Sequence, residues 1–226
     1  MRPIVLTAFL LLGYVTSASA QTASRFEIGP VVRLDHVFVE GDMTGRSTVA
    51  GVVGTFKLSK TFGVEGEITQ ASNQLQQSRE GWFVSYVTTP NPTREEIERM
   101  APTVLIARGL EPGIGWSAAF VARGDVVPRV SLAARVGLSA RDYVESETYT
   151  ILRFPDGVDP QRVANDYQNR SFNRARGGML LGLDSSVVLT KHLSVTPELR
   201  IVYGGSAQIG NKYREVGLGA RGTWRF

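Results

Sequence analysis

A histidine, a serine and a glutamate stand close together near the C-terminal end of the chain. His192, Ser194 and Glu198 are the residue types of a nucleophilic triad, in which a base takes the proton of an attacking hydroxyl. However, the alternating pattern that begins at Leu193 predicts a strand and places His192 in the short turn before it. We therefore interpret His192 as a turn residue and assign no catalytic residue here.

Asp35 and His36 form a second pair of an acid and a histidine. The pair is similar to the acid and histidine of outer-membrane proteases, but those enzymes need a second acidic pair, for which this chain offers no candidate. The chain has two histidines and no cysteine, so common metal ligands are scarce. We expect no catalysis at this pair, no metal and no cofactor.

Length and charge narrow the functional classes. The chain has 226 residues, with 25 lysines and arginines against 21 aspartates and glutamates, and the net charge is +4. So small an excess does not favour a nucleic-acid partner. After residue 20, no stretch is long and apolar enough to cross a bilayer as a helix, so a membrane form would cross with strands.

The first 20 residues have the pattern of a cleaved signal peptide. Arg2 precedes an apolar run over residues 4–15, and Ala18-Ser19-Ala20 has the small-x-small form of a cleavage site. The apolar run is shorter than the ~20 residues that a transmembrane helix needs. We expect residues 21–226 to form one exported domain.

The rest of the chain alternates apolar and polar residues, and period two indicates strands with one apolar face. We predict eight antiparallel strands, at about 25–39, 48–59, 62–71, 115–123, 128–143, 175–190, 193–203 and 215–226. The fifth is the clearest, because Leu132, Ala134 and Val136 alternate there with small or polar residues such as Ser131 and Arg135. The predicted class is all-β, an eight-stranded up-and-down transmembrane barrel.

The predicted connections alternate in length. Short turns follow strands two, four and six, at residues 59–61, 124–125 and 190–192. Long loops follow the odd strands, at residues 40–47, 72–114, 144–174 and 204–214. Outer-membrane barrels have short periplasmic turns and long external loops. Residues 84–88 and 103–108 also look strand-like, so they extend a hairpin above the membrane or make a ten-stranded barrel; we favour eight strands.

Short helices and aromatic residues are expected in the long loops. Thr93 and Glu96 have the spacing of a capping box, and Asp159-Pro160 is a second possible helix start. Aromatic residues near the strand ends are typical of the girdle at the membrane interface, with loop ligand binding as an alternative. They are Trp82, Phe83, Tyr86, Tyr143, Tyr149, Tyr167 and Phe172.

The charges distinguish a membrane barrel from a soluble lipocalin-like barrel, whose apolar face points inward. The polar faces of the predicted strands hold seven acids, Glu27, Asp35, Glu65, Glu67, Asp184, Glu198 and Glu215. They also hold nine bases, Arg33, Lys57, Arg123, Arg129, Arg135, Arg141, Arg200, Arg221 and Arg225. Buried charges persist when they are paired, so this near balance predicts a packed polar lumen in which glycines make room for arginines.

The C-terminal segment ends on Phe226, and Val216, Leu218 and Trp224 lie on the same face. This pattern resembles the terminal strand of outer-membrane proteins, which the barrel-assembly machinery recognises. The chain is similar over residues 25–226 to the small outer-membrane β-barrels, such as the membrane domain of outer-membrane protein A. The resemblance implies a bacterial outer-membrane location, a lipid environment and the assembly machinery as partner.

The function that we infer from the sequence is structural or surface-interacting, without catalysis. Two alternatives stay open: a narrow channel or carrier for small solutes, and a lipid-modifying enzyme. For the enzyme, residues 192–194 are similar to the His-x-Ser element of outer-membrane lipid A deacylases, but Val195 stands where that family has Asn.

Overall fold

A computed structural model describes residues 25–39, 43–73, 75–82, 90–155, 157–205 and 212–225. The predicted signal peptide and Phe226 lie outside the described residues, as does the strand-like stretch at 84–88. Nine strands and two short helices form in the described part of the chain. The strands are β1 Phe26–Val39, β2 Met43–Lys57, β3 Phe62–Ser72, β4 Leu75–Trp82, β5 Thr103–Val127, β6 Val130–Arg153, β7 Arg170–Val188, β8 Leu193–Gly205 and β9 Lys212–Arg225. The helices are α1 Arg94–Met100 and α2 Pro160–Asp166.

Eight of these strands close into a ring. Each pairs antiparallel with its neighbours in the order β3-β2-β1-β9-β8-β7-β6-β5, and a β3–β5 ladder completes the circle. β1 joins β9, so the first and last described strands are adjacent, with Leu34 opposite Leu218. The predicted eight-stranded up-and-down barrel is confirmed, and β4 is a ninth strand outside the ring.

The longest strands extend beyond the ring. Thr103–Val127 and Val130–Arg153 are more than twice the ~10 residues that a membrane strand needs. The half of β5 nearer the turn pairs with β3, and its other half pairs with β4. Residues 103–108 therefore extend a hairpin and add no strand to the ring. Of the two predictions for this stretch, the hairpin is correct and the ten-stranded barrel is wrong.

All four predicted long loops were wrong in extent: β2 already begins at Met43, β8 reaches Gly205 and β9 begins at Lys212. Residues 72–114 contain β4, α1 and the first part of β5, and residues 144–174 contain the end of β6, α2 and the start of β7. The sequence missed these strand ends because hairpins outside the bilayer need no continuous lipid-facing apolar side, so the alternation weakens.

Both predicted helix starts are confirmed. Thr93 caps α1: its hydroxyl accepts from the Glu96 backbone N–H, and the Glu96 carboxylate accepts from the Thr93 N–H at 2.8 Å. These bonds lower the pKa of Glu96. Asp159 caps α2 through the backbone N–H of Gln161, with Pro160 in the first turn. Each helix has seven residues, and neither has the length or the apolar content to cross a bilayer.

The orientation of the strand faces is confirmed. Leu132, Leu181 and Leu218 point outward, with 52%, 44% and 63% of their surface exposed. Arg135 and Glu198 point inward and keep 5% and 4%. A soluble barrel would show the reverse, so the apolar exterior is the surface that meets lipid. This is a transmembrane barrel of the outer-membrane type.

The three short turns lie at one end of the ring, but one was predicted at the wrong place. β5 continues past the expected turn at residues 124–125 and reaches Val127, so the hairpin turns at Pro128-Arg129. Arg129, which we expected in the lumen, is therefore an exposed turn residue. By the rule for outer-membrane barrels, we expect this end to face the periplasm.

A pair of outward residues on β6 tests the membrane depth. Val136 lies near the middle of the ring portion of β6, whereas Leu132 is two residues from its start. We expect Val136→Arg to cost about 2–4 kcal/mol of folding free energy, and Leu132→Arg clearly less, because the cost of an arginine falls towards the interface. Urea unfolding in lipid vesicles measures both. Equal costs, or a larger cost at Leu132, would contradict this depth assignment.

Candidate functional site

The residue types of a triad are not brought together. His192 stacks on Trp224 with ring centroids 5.8 Å apart. Its Nδ1 lies 3.1 Å from the backbone carbonyl oxygen of Arg225, which accepts a hydrogen bond when Nδ1 carries the proton. The Ser194 hydroxyl lies 2.7 Å from that of Thr223, in the lumen. Glu198 binds arginines deeper in the barrel. The predicted turn position of His192 is confirmed.

Asp35 and His36 point to opposite sides of β1. Asp35 is buried in the lumen and accepts a hydrogen bond from Arg33 Nε at 2.8 Å. The His36 ring contacts Phe38 on the other face, with 4.4 Å between the ring centroids. Neighbouring residues of a strand diverge in this way, so the pair forms no common site. Among the described residues, no group of three or more potential ligands is arranged to hold a metal ion.

Arg33 is the centre of the charged lumen. Its guanidinium contacts Asp35, Glu67 at 3.1 Å and Glu198 at 3.1 Å, from strands on several sides of the ring. The Arg33 side chain has no exposed surface. Because guanidinium offers five donors in one plane, it can satisfy several carboxylates at once.

Two further arginines form a second group nearer the turns. Arg135 contacts Asp184, Glu65 at 3.3 Å and Glu198 at 3.0 Å. Arg221 contacts the same three carboxylates, including Glu198 at 3.2 Å. Glu198 therefore connects this group to Arg33, and the two groups form one network.

The network continues towards the loop end through Arg200. Arg200 contacts Glu67 at 2.8 Å and Glu215 at 3.7 Å. Glu215 in turn accepts a hydrogen bond from the Tyr213 hydroxyl at 2.6 Å, and that hydroxyl lies 3.1 Å from the hydroxyl of Tyr143. A continuous chain of polar contacts thus fills the middle of the barrel.

The central network is nearly neutral. Five arginines, Arg33, Arg135, Arg141, Arg200 and Arg221, face six carboxylates, Asp35, Glu65, Glu67, Asp184, Glu198 and Glu215. Arg141 bonds the Thr69 hydroxyl at 3.2 Å and the Gly113 carbonyl at 3.3 Å. All eleven are at most 6% exposed. The predicted packed lumen is confirmed for these residues, and each arginine except Arg141 contacts a carboxylate directly.

Glycines provide the space for these arginines, as the sequence predicted. A Cβ atom added at Gly217 would lie 2.3 Å from an Asp35 carboxylate oxygen and 2.7 Å from Arg33 Cδ. One added at Gly115 would lie 2.9 Å from the Arg141 guanidinium carbon. Larger residues there would displace the pairs that keep the buried charges stable.

An apolar cap covers the lumen at its loop end. Its members are buried side chains from the barrel wall and from the segments beyond it: Val37, Val39, Leu75, Leu110, Tyr143 and Tyr213. Leu75 belongs to β4, and the absence of a side chain at Gly45 makes room for it. The cap separates the charged network from the outer loops.

The cap was not anticipated from the sequence. Leu75 and Leu110 fall in the segment predicted as loop, and Tyr143, expected in the interfacial girdle, is 2% exposed inside the barrel. A pair above the cap was missed too, in which Arg176 Nε donates to Glu145 at 2.7 Å. The alternation of β6 continues unbroken to Tyr143, and that inward parity was the available signal.

Three solved outer-membrane proteins are similar to this chain in structure. Ail of Yersinia pestis is 12% identical, with a TM-score of 0.45 over 89% of this chain and 99% of its own. Neisserial surface protein A is 12% identical, with a TM-score of 0.45 over 91% and 100%. OprG of Pseudomonas aeruginosa is 11% identical, with a TM-score of 0.44 over 92% and 98%.

The comparisons agree with the fold and go no further. No protein-family model matches the chain, and no curated protein matches it. At this identity, a likeness in structure concerns architecture alone, because unrelated functions share one fold. The resemblance to the small outer-membrane β-barrels therefore concerns the fold alone.

Loss of the central arginine should strongly destabilise the barrel. Arg33→Met leaves Asp35, Glu67 and Glu198 each without one partner, and we expect a cost of about 3–5 kcal/mol, the range for breaking a buried pair. Arg94→Met breaks the exposed Arg94–Glu98 pair and should cost less than about 1 kcal/mol. Urea unfolding in vesicles compares the two variants. Similar costs would contradict a structural role for the network.

The space at Gly217 provides a second test. Gly217→Ala pushes a methyl group against Asp35 and Arg33, and we expect a cost of about 1–3 kcal/mol from overpacking. Gly66→Ala is the control, because an added Cβ there meets no atom within 4 Å. Heat-modifiable migration on denaturing gels reports the folded fraction of each variant. A Gly217→Ala variant as stable as Gly66→Ala would show that the lumen can hold an additional methyl group at this position.

Proposed function

We propose that this protein is an occluded outer-membrane barrel that presents an ordered platform at the cell surface for interaction, and that it performs no catalysis. The observation that carries the proposal is the combination of a filled lumen with hairpins that stay paired far past the ring, through register shifts such as the one between Pro112 and Gly115. β5 and β6 stay paired from Val127↔Val130 out to Thr103↔Arg153.

Two features oppose conduction. The central network spans the ring with side chains that contact one another, and the apolar cap covers its outer end. An ion in transit would have to break several buried guanidinium–carboxylate pairs at once, each in a medium of low dielectric constant. These features favour a surface role over the channel alternative.

The segments beyond the ring have their own packing. Ala101 at the end of α1, Val104 at the start of β5 and Val163 in α2 are buried. Arg108 contacts Glu147 across the β5–β6 ladder at 2.9 Å. These contacts define the surface platform, residues 75–110 and 145–170 where described. A platform held in one shape binds with a smaller loss of entropy than a mobile loop does.

Further contacts attach the platform to the strands. The Tyr149 backbone N–H donates to Asn169 at 3.0 Å, and the Tyr149 ring contacts Tyr167 with centroids 5.8 Å apart. Arg153 donates to the Ala101 carbonyl at 3.3 Å. These aromatics belong to the platform, which supports surface interaction over the girdle that we expected for them.

The remaining partners stay as proposed from the sequence. The outward apolar face fits outer-membrane lipid. We propose recognition of the C-terminal segment ending in Phe226 by the barrel-assembly machinery. The absence of catalysis is supported by the separation of Ser194 from His192 and of Asp35 from His36.

Planar-bilayer recording tests occlusion. We expect no stable conductance steps from folded wild-type protein, because side chains in contact with one another occupy the lumen of the described ring. Heat-modifiable migration confirms that the recorded sample is folded. Reproducible steps of one size would instead support the narrow channel or carrier.

The surface role is tested in cells that express the protein. We expect attachment to protein-coated and glycan-coated surfaces, and loss of attachment when residues 75–110 and 145–170 are each replaced by a short turn. The trimmed barrel must still show heat-modifiable migration, which excludes loss by misfolding. Attachment that is equal with both forms, or a lipid A mass profile that changes with wild-type protein, would overturn the proposal.

A further inference from the structure

The turn end of the barrel opens into a concavity of about 790 Å³. Six cationic side chains line it: Arg25, Lys57, Lys60, Arg123, Arg129 and Arg225. Asp125 is the one acid among its lining residues, and apolar residues such as Val126 and Val188 complete the wall. We call this concavity the cationic mouth. Its volume lies within the ~300–1,000 Å³ range of small-molecule sites.

One buried carboxylate, Glu27, lies behind the lining of the cationic mouth and is shared among three of its cations. Glu27 Oε1 lies 2.6 Å from Lys57 Nζ and 2.8 Å from Arg225 Nε, and Oε2 lies 3.3 Å from Arg123 Nη1. Glu27 is buried, whereas its three partners keep 17–30% of their side chains exposed. A single negative charge cannot neutralise three positive ones, so two remain at the base of the mouth.

The central network has no such excess of positive charge. In the central network five arginines face six carboxylates, whereas the cationic mouth has six cations against Asp125 and Glu27. An excess of four positive charges therefore faces the turn side. In a concave site with low-dielectric walls, such an excess focuses the potential and attracts anions.

Arg129 is an unfavourable residue type for the backbone conformation of its turn. It has φ of 73° at the second position of the Pro128-Arg129 turn, where glycine or asparagine avoids the steric cost of the left-handed region. An arginine at this position adds nothing to the turn itself. It does add a guanidinium to the cationic mouth.

We propose that the cationic mouth binds a phosphate-bearing polyanion on the periplasmic side. Guanidinium groups match phosphate oxygens in pairs, and Lys57 and Lys60 add compact positive charges. A ligand with several phosphates matches both the four excess charges and the volume. Two sources share this chemistry, the headgroups of anionic phospholipids in the inner leaflet and a soluble periplasmic phosphorylated molecule.

Calorimetric titration with inositol hexakisphosphate as the probe tests the site, with the full barrel in phosphatidylcholine nanodiscs. We expect binding by the wild type and a loss of affinity of about tenfold or more in the double variant Lys60→Gln, Arg129→Asn. Both residues are exposed and outside the Glu27 group, and asparagine suits the backbone of residue 129, so folding is preserved.

Lys191→Gln is the matched control. Lys191 is an exposed lysine in a turn at the same end, but it does not line the cationic mouth. The Lys191→Gln substitution should change the affinity for the probe less than twofold. Raising the salt concentration should weaken binding of the probe by the wild type. No binding by the wild type, or an equal effect of Lys191→Gln and the double variant, would overturn the proposal.

A second arm separates the two sources. If phospholipid headgroups occupy the mouth, phosphatidylglycerol nanodiscs should abolish titration by the probe, and the double variant should lower phosphatidylglycerol enrichment around the barrel. If the ligand is soluble, the probe should bind in both nanodiscs. The Lys191→Gln variant serves as the reference in each.

Discussion

The guanidinium–carboxylate network is the constraint on which the rest of the barrel depends. A buried ion is tolerated only with partners of opposite sign in good geometry. Each arginine of the network takes its partners from several strands, as Arg33 does from Asp35 on its own strand, Glu67 on β3 and Glu198 on β8. The strands must therefore keep one register, since a slip of one residue would turn the charges into lipid. The glycines beside Arg33 and Arg141 are part of the same requirement.

The two ends of the lumen have opposite character. At the loop end, Leu75 and Leu110 join wall residues in an apolar cap, above which the platform begins. At the turn end, Glu27 lies under an open cationic mouth. The nearly neutral middle separates the two, so the ends of the lumen are chemically distinct. This polarity follows from placing charges only where partners or water can stabilise them.

Much of the barrel could be predicted because the surroundings of each face of a membrane strand determine the polarity of the residues on that face. Leu132 and Arg135 have to alternate in polarity when one neighbour is lipid and the other a polar lumen. The pairing of charges followed from the same argument.

The sequence could not say which arginine meets which carboxylate, because Arg33 and Glu198 are 165 residues apart. The platform was missed for a related reason: Leu75 and Leu110 are buried by contacts distant in sequence. The turn at Arg129 was missed because the sequence offers two possible turns, at Gly124-Asp125 and at Pro128-Arg129, and we chose the first.

The position of β4 has a consequence for how such a surface can evolve. β3 and β5 are neighbours in the ring although β4 and α1 lie between them in sequence. The intervening stretch can therefore lengthen, shorten or be exchanged without altering strand number or the shear of the cylinder. Selection could exchange the segment between β3 and β5 as one unit, while the eight-stranded ring stays unchanged.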